Sequence, residues 1–94
     1  VNQQEAVKEI SIAMRRARMV LEVLPGIEEA NLLLKKGNYF GASPALDGAR
    51  KRLDDDLAAP SIQSDLPKYQ PAIYSFNRRI QNIKDEINRR TVAN

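Results

Sequence analysis

The chain of 94 residues contains no histidine, no cysteine and no tryptophan. Without imidazole or thiolate groups it lacks the usual ligands of zinc and soft-metal sites, and also the Ser-His and Cys-His pairs of nucleophilic catalysis. A disulfide is excluded as well, so packing alone must hold the fold. These absences predict a protein that is not an enzyme and that has no catalytic, metal-binding or cofactor-binding residues.

Glycine and long apolar runs are also scarce. The four glycines (Gly26, Gly37, Gly41 and Gly48) form no phosphate-binding loop motif. No apolar run approaches the roughly 18 residues that a membrane span needs, so we expect no insertion into a membrane. Residue chemistry therefore predicts a small, soluble helical domain whose function depends on its surface.

Charge is distributed unevenly along the sequence. The net charge is +3, from 15 Lys and Arg against 12 Asp and Glu. Residues 68–94 carry six basic and two acidic side chains, a balance of +4, whereas residues 25–67 carry five basic and seven acidic ones, a balance of −2. Residues 1–24 are balanced at +1, with four basic and three acidic side chains. A basic excess at the ends favours a partner with an acidic docking surface.

Apolar residues recur at intervals of three and four, which predicts helices and no strands. In the first helix the stripe predicted to be buried is Val7, Ile10, Met14, Ala17, Leu21 and Leu24. We expect Pro25 and Gly26 to end this helix, because proline cannot donate a backbone N–H. The prediction is an all-α fold, one domain over residues 1–94, folded as an antiparallel up-down four-helix bundle. Its helices are expected at about 3–24, 27–36, 44–58 and 68–90.

The start of the third helix is open to two interpretations. Either Asn38 caps a helix that Pro44 kinks, or Ser43 is the N-cap and Pro44 is the first helical residue. The residue before a proline avoids the α region, which favours a start at Pro44. Residues 59–67 are expected to form a connecting loop. The last helix has the clearest buried stripe, formed by Tyr69, Ile73, Phe76, Ile80, Ile83 and Ile87.

The acidic run Asp54–Asp56 is the most obvious candidate for a metal site. Consecutive helical residues point about 100° apart, so the three carboxylates cannot converge on one ion. Basic residues 50–52 lie four positions before the acids. We therefore expect three intrahelical ion pairs on a solvated face, and no metal.

A second apolar strip on the first helix, formed by Ile12, Met19 and Val23, lies nearly opposite the first stripe. Two interpretations stay open for it. Either the first helix lies centrally and its own bundle covers it on both sides, or the strip is exposed beside basic residues and docks a partner.

The last helix carries an outward arginine pair. Arg78 and Arg79 have no acid four residues away, and Tyr74 shares the outer face with Arg78, an arrangement typical of interface anchors. Further along, Asp85–Arg89 and Glu86–Arg90 are expected to form ion pairs. The full set of predicted partner-binding residues is Lys8, Arg15, Arg16, Met19, Tyr74, Arg78, Arg79 and Arg89. Because no aromatic residues line a basic groove, we expect no nucleic-acid binding; a weak nucleic-acid-binding bundle is the last alternative.

From about Arg15 to Arg90 the chain resembles the PsbQ-like extrinsic proteins of photosystem II, of the algal and diatom type. A helix is followed by residues 32–60 (LLLKKGNYFGASPALDGARKRLDDDLAAP) and then by residues 66–87 (LPKYQPAIYSFNRRIQNIKDEI). The resemblance rests on the lysine-rich turn at residues 35–39 and on the run Arg52, Leu53, Asp54 and Leu57. It implies a non-enzymatic four-helix bundle in the thylakoid lumen, peripheral to the membrane. Such a protein docks electrostatically on lumenal subunits of photosystem II and supports oxygen evolution by helping to retain calcium and chloride.

A second resemblance covers residues 37–49. Their pattern is similar to the second half of a tetratricopeptide-type hairpin and to a turn in vesicle-tethering subunits, which implies a fragment of a cytosolic scaffold. Pro44 interrupts the helix that this family needs, and the chain holds no second copy of the repeat. The photosystem interpretation is therefore preferred, with the cytoplasmic scaffold as the alternative.

Overall fold

The computed structural model describes residues 2–92, and this range is all-α, as predicted. Its helices are α1 (Asn2–Lys35), α2 (Tyr39–Leu57), α3 (Pro60–Gln63) and α4 (Leu66–Val92). Since α3 is a single turn, three long helices carry the fold, and the molecule is a rod of 62 × 17 × 17 Å. The domain predicted over residues 1–94 extends past the described residues at both ends.

α1 runs through Pro25 without a break, so the prediction that this helix ends at Pro25 and Gly26 is wrong. The predicted helices 3–24 and 27–36 are one helix of 34 residues. The four-helix arrangement is consequently not confirmed. Proline in a helix interior leaves one carbonyl without its donor, here that of Leu21, and tertiary packing in the next turn offsets this cost because Ile27 and Ala30 are buried.

Gly26 belongs to a close contact between α1 and α2, not to a turn. A Cβ atom on Gly26 would lie 2.9 Å from the Cβ of Ala49 and 3.2 Å from the carbonyl oxygen of Ala45. Such small residues let two helix backbones approach closely. Its neighbours in the same region, Ala30 on α1 and Ala42 on α2, are fully buried.

α2 begins at Tyr39, so the preferred start at Pro44 is wrong and the alternative with Asn38 as the cap is the one observed. The side-chain Oδ1 of Asn38 accepts a hydrogen bond from the N–H of Gly41 at 2.9 Å. Gly37 precedes it with a φ of 80°, a conformation that ends α1 at little cost only for a residue without a side chain. This cap and the burial of Ala42 hold the first turn of α2 ahead of the proline.

The predicted loop at residues 59–67 is largely helical. Pro60 is the first residue of α3, and α4 starts at Leu66. Pro67 lies in the first turn of α4, where a backbone N–H would have no partner inside the helix. Proline at both places therefore starts helices here.

The direction of the helices follows from contacts between them. The ammonium group of Lys68 lies 3.3 Å from Glu9, which places the start of α4 beside the N-terminal part of α1. At the other end, Arg90 donates to the hydroxyl of Tyr39 at 3.5 Å. α4 thus runs parallel to α1 and antiparallel to α2.

The buried stripe predicted for the last helix is confirmed in α4, but the one predicted for α1 is wrong. The buried apolar residues are Ile12, Met19, Val23, Ile27 and Ala30 of α1, Ala42, Leu46, Ala49 and Leu53 of α2, Ile62 of α3, and Tyr69, Ile73, Phe76, Ile80, Ile83 and Ile87 of α4. They form one continuous core along the rod. α1 therefore packs through the face that the sequence marked as its second strip.

Candidate functional surface

The strip of Ile12, Met19 and Val23 is covered by the rest of the protein, so its interpretation as an exposed docking strip is wrong. A central helix covered on both sides is not observed either, because the opposite face of α1 is exposed. The three side chains are 1%, 1% and 0% exposed. Met19 was predicted to bind a partner, and this assignment is wrong because its side chain lies in the core. The strip continues into Ile27 and Ala30, which lie against the small residues of α2.

The opposite face of α1 is an exposed apolar surface, which we call the α1 seam. Its members are Val7, Ile10, Met14, Ala17, Leu21 and Leu24. Four of the large side chains are strongly exposed: Val7 by 63%, Ile10 by 60%, Met14 by 68% and Leu21 by 76%. Single exposed apolar residues are ordinary, but a row along one helix is typical of an interaction site.

One edge of the α1 seam is basic. Ser11, Met14, Arg15 and Arg18 line a shallow surface depression. Neither arginine forms a hydrogen bond or an ion pair with another described residue. Arg16, also a predicted partner-binding residue, is exposed about 100° from Arg15 around the helix, on the other side of the seam from Arg15 and Arg18. Positive charge beside the seam is therefore left without an internal partner.

The other edge of the seam is small and apolar. Ala6, Ala13 and Val20 each precede a seam residue by one position, and they are exposed, Val20 by 36%. Small side chains at such positions allow a second helix to approach closely. The positions that directly flank the seam are consequently asymmetric, with Arg18 on one edge and only small or apolar side chains on the other.

Between α1 and the end of α2, two carboxyl groups face each other. The pKa of Asp56 is raised to about 6, first because of burial and then because of the hydrogen bond and the negative charge of Glu22. Asp55 raises it further and Arg52 lowers it. The Oδ2 atom of Asp56 is buried without a hydrogen-bond partner in the described structure. Asp56 therefore keeps its proton to a higher pH than an ordinary aspartate, in a depression that Arg15 and Arg18 also border.

The ion pairs predicted within residues 50–56 are not formed in the described structure. Arg50 instead donates from Nη1 to Oδ1 of Asn77 on α4, at 2.6 Å. Across residues 2–92, no three acidic side chains are grouped so as to hold a metal ion. The run of acids is a solvated face whose last member, Asp56, turns inward.

On α4, Tyr74, Arg78 and Arg79 lie on the surface. Tyr74 is 66% exposed and lines a shallow groove together with Arg78 and Asn77. Arg78 and Arg79 have no ion pair with any other residue in the range 2–92. The outward placement predicted for these three side chains is what the structure has.

Lys8 and Arg89 are both engaged within the protein. The ammonium of Lys8 lies 3.1 Å from the carboxylate of Asp65, a contact between α1 and the residue before α4. Arg89 is paired with Glu86, one turn before it on the same helix. Both side chains can still reach solvent, but each already has a counter-ion.

The C-terminal turn of α4 confirms one predicted ion pair and contradicts the other. Glu86 accepts from Nε of Arg90 at 2.8 Å, as predicted, and also from Arg89. These hydrogen bonds lower the pKa of Glu86. Asp85 does not pair with Arg89; it accepts from the amide of Gln81 at 2.8 Å.

The candidate surface that was not predicted from the sequence is the α1 seam itself. Its residues were identified, but they were assigned to the core because helical spacing alone does not say which face is buried.

Among the described helices, none is both long enough and apolar enough to cross a membrane. No family model, no curated protein and no solved structure matches the chain at a significant level.

Proposed function

We propose that this protein is a non-catalytic docking subunit that binds a larger protein assembly. The observation that carries the proposal is the α1 seam, with four large apolar side chains of one helix face exposed by 60% or more. Leaving this surface in water costs free energy that a partner would recover, since burial stabilises by roughly 25 cal/mol per Å² of apolar area.

Charge supports the same function. Arg15 and Arg18 border the seam, and Arg78 and Arg79 lie on α4, all without counter-ions in the described structure. Unpaired basic groups on a protein of net charge +3 steer encounters with an acidic surface. Apolar contact then supplies the affinity and charge supplies the orientation.

The assembly that we propose is photosystem II, approached from the thylakoid lumen. The resemblance of residues 32–60 and 66–87 to PsbQ-like extrinsic proteins supports this choice. In that setting the protein docks on an acidic lumenal surface and helps the oxygen-evolving centre to retain calcium and chloride. No histidine or cysteine is needed for such a role.

A salt titration tests this function. The purified protein is mixed with photosystem II membranes stripped of extrinsic proteins, and the bound fraction is measured after sedimentation. We expect binding at low ionic strength that weakens as salt approaches about 1 M, because screening then acts over roughly 3 Å. An Arg78→Gln/Arg79→Gln variant should bind more weakly at low salt and depend less on salt.

Two results would contradict the photosystem role. One is the absence of binding even at low ionic strength, and the other is binding that salt leaves unchanged. Recovery of a coat or tethering subunit in a pull-down from cytosol would replace it with the scaffold function.

A further inference from the structure

The α1 seam has the spacing of a coiled-coil face. Val7, Met14 and Leu21 occupy one set of positions seven residues apart, and Ile10, Ala17 and Leu24 occupy the set that follows each by three. Alternation of three and four keeps apolar residues facing one neighbouring helix, whose side chains they interleave. Since α1 is continuous across this range, the face is unbroken.

We propose that the α1 seam binds a single amphipathic helix of another protein, one with apolar residues in matching heptad positions and acidic residues along the edge that meets Arg15 and Arg18. The proposal rests on the docking function above and specifies its partner. The partner is thus a helix with acidic residues along one edge, and not a flat acidic surface.

The size of the seam fits one helix. Residues 7–24 cover about 27 Å at 1.5 Å per residue, which a partner helix of roughly 20 residues would span. With both helices and the small-residue edge counted, about 1,000 Å² would be buried, which is near the lower limit of a specific interface.

Charge selects the partner. Arg15 and Arg18 lie on the same edge of the seam and have no counter-ion among the described residues. Carboxylates on a neighbouring helix could accept from both guanidinium groups in the fork geometry that arginine favours. The opposite edge, with Ala6 and Ala13, lets the two backbones approach and requires no charge.

A second copy of the chain fits this surface less well. In an antiparallel pair that places Val7 opposite Leu24, the Arg15 side chains of the two copies meet near the two-fold axis and repel. In a parallel pair, Arg18 faces Ala13 of the other copy. Neither arrangement gives the arginines a carboxylate, so charge complementarity favours a different, acidic chain.

Two designed peptides test the proposal directly. Each is a helix of about three heptads with leucine at the core positions; one carries glutamate at both flanking positions and the other carries lysine. Binding to the full chain is followed by fluorescence anisotropy at low salt. We expect the glutamate peptide to bind at least about ten-fold more tightly. Equal affinity, preference for lysine or no binding of either peptide overturns the proposal.

Substitutions locate the binding. Met14→Ser/Leu21→Ser should weaken binding of the glutamate peptide by at least about ten-fold, because two apolar contacts are lost. The matched control is Phe40→Ser, which removes an apolar side chain that is 88% exposed and far from the seam. All these residues are exposed, so the variants should keep the wild-type helix content by circular dichroism. An equal loss in the control overturns the assignment to the seam.

Reversing the charge gives an independent readout. Arg15→Glu/Arg18→Glu should shift the preference from the glutamate peptide to the lysine peptide. An unchanged preference would show that these arginines do not face the partner. Sedimentation velocity tests whether a second copy of the chain occupies the seam. A dimer at micromolar concentration that disappears in Met14→Ser/Leu21→Ser would identify a second copy and overturn the proposal.

The membrane assay separates this inference from the proposed function. If the glutamate peptide binds at the seam but photosystem II membranes do not bind the protein, the helix partner stands and the photosystem role fails. If the membranes bind Met14→Ser/Leu21→Ser as well as wild type, docking stands and the seam is not its site.

Discussion

Of the two apolar faces of α1, one is buried and the other is exposed. The face with Ile12, Met19 and Val23 has the less regular spacing, yet it is buried to 1% exposure or less. The α1 seam repeats at strict intervals of three and four, yet most of its large side chains are more than half exposed. Regular spacing therefore identifies a face that suits a neighbouring helix, but it does not say whether that helix belongs to the same chain.

What distinguishes the buried face is its continuation toward α2. Beyond Val23 it runs into Ile27 and Ala30, beside Gly26, where α2 presents small side chains. The close approach of the α1 and α2 backbones at Gly26 orients this face of α1 toward the core. The seam has no such small residues opposite it, and its C-terminal end leads to Pro25, which is exposed.

The largest effect is expected from a matched pair of methionines, one on each face. Met19→Ala should lower the free energy of unfolding by about 3 kcal/mol, because it empties part of a packed core. Met14→Ala should change it by less than about 0.5 kcal/mol, because the side chain is 68% exposed. Urea unfolding followed by circular dichroism measures both. Similar losses for the two variants would mean that both faces are buried in solution.

The next effect concerns the contact that fixes the buried face. Gly26→Val should lower the free energy of unfolding by about 2 kcal/mol, since even a Cβ atom would lie 2.9 Å from Ala49. Gly48→Ala is the control: a Cβ there meets nothing within 4 Å, so better helix propensity should raise stability by about 0.5–1 kcal/mol. If Gly26→Val is also neutral or stabilising, the close approach of α1 and α2 is not what orients α1.

The smallest effect lies at the border between the faces, where Glu22 meets Asp56. The pKa of Asp56 is raised from 3.8 to about 6, so the folded protein binds this proton more tightly than the unfolded chain. The contribution of this group to stability is therefore present at low pH and is lost as pH rises from about 4 to 6. With solvent screening included, we expect the loss to be about 1 kcal/mol.

Asp56→Asn tests this titration. The variant should be more stable than wild type at pH 7, and the difference should shrink as the pH falls toward 4. Thermal unfolding across this range measures the difference, with Asp54→Asn, which changes an exposed carboxylate nearby, as the control. A constant difference at all pH values would show that Asp56 titrates normally.

The sequence predicted the parts of the fold that depend on a single strong pattern. α4 has one apolar face, so its core residues from Tyr69 to Ile87 could be identified, and the outward placement of Tyr74 and Arg78 followed from it. α1 has two apolar faces that satisfy the same periodicity, so the choice between them depends on contacts with α2. The same contacts allow a helix to pass through Pro25 and Gly26, which local rules treat as a break.

Pro44 is a second position at which local sequence rules alone do not predict where a helix begins. Its effect on the preceding residue favours a helix start there, but the side-chain cap at Asn38 stabilises an earlier one. The candidate surface was partly predictable for a related reason. Charged side chains such as Arg15 and Arg18 are exposed whichever apolar face of α1 is buried. The exposure of Met19, in contrast, depends on which face of α1 packs against the core.

The continuity of α1 through Pro25 has a thermodynamic consequence. The seam and the close contact at Gly26 belong to one continuous helix, so the proposed partner along residues 7–24 would bind only when that helix is formed and packed. Binding and folding are then linked: occupation of the seam raises the unfolding free energy by RT ln(1 + [L]/Kd), and any change that loosens the contact with α2 weakens the partner's apparent affinity. A substitution at Gly26, far round the helix from every seam residue, would thus be felt at the docking surface.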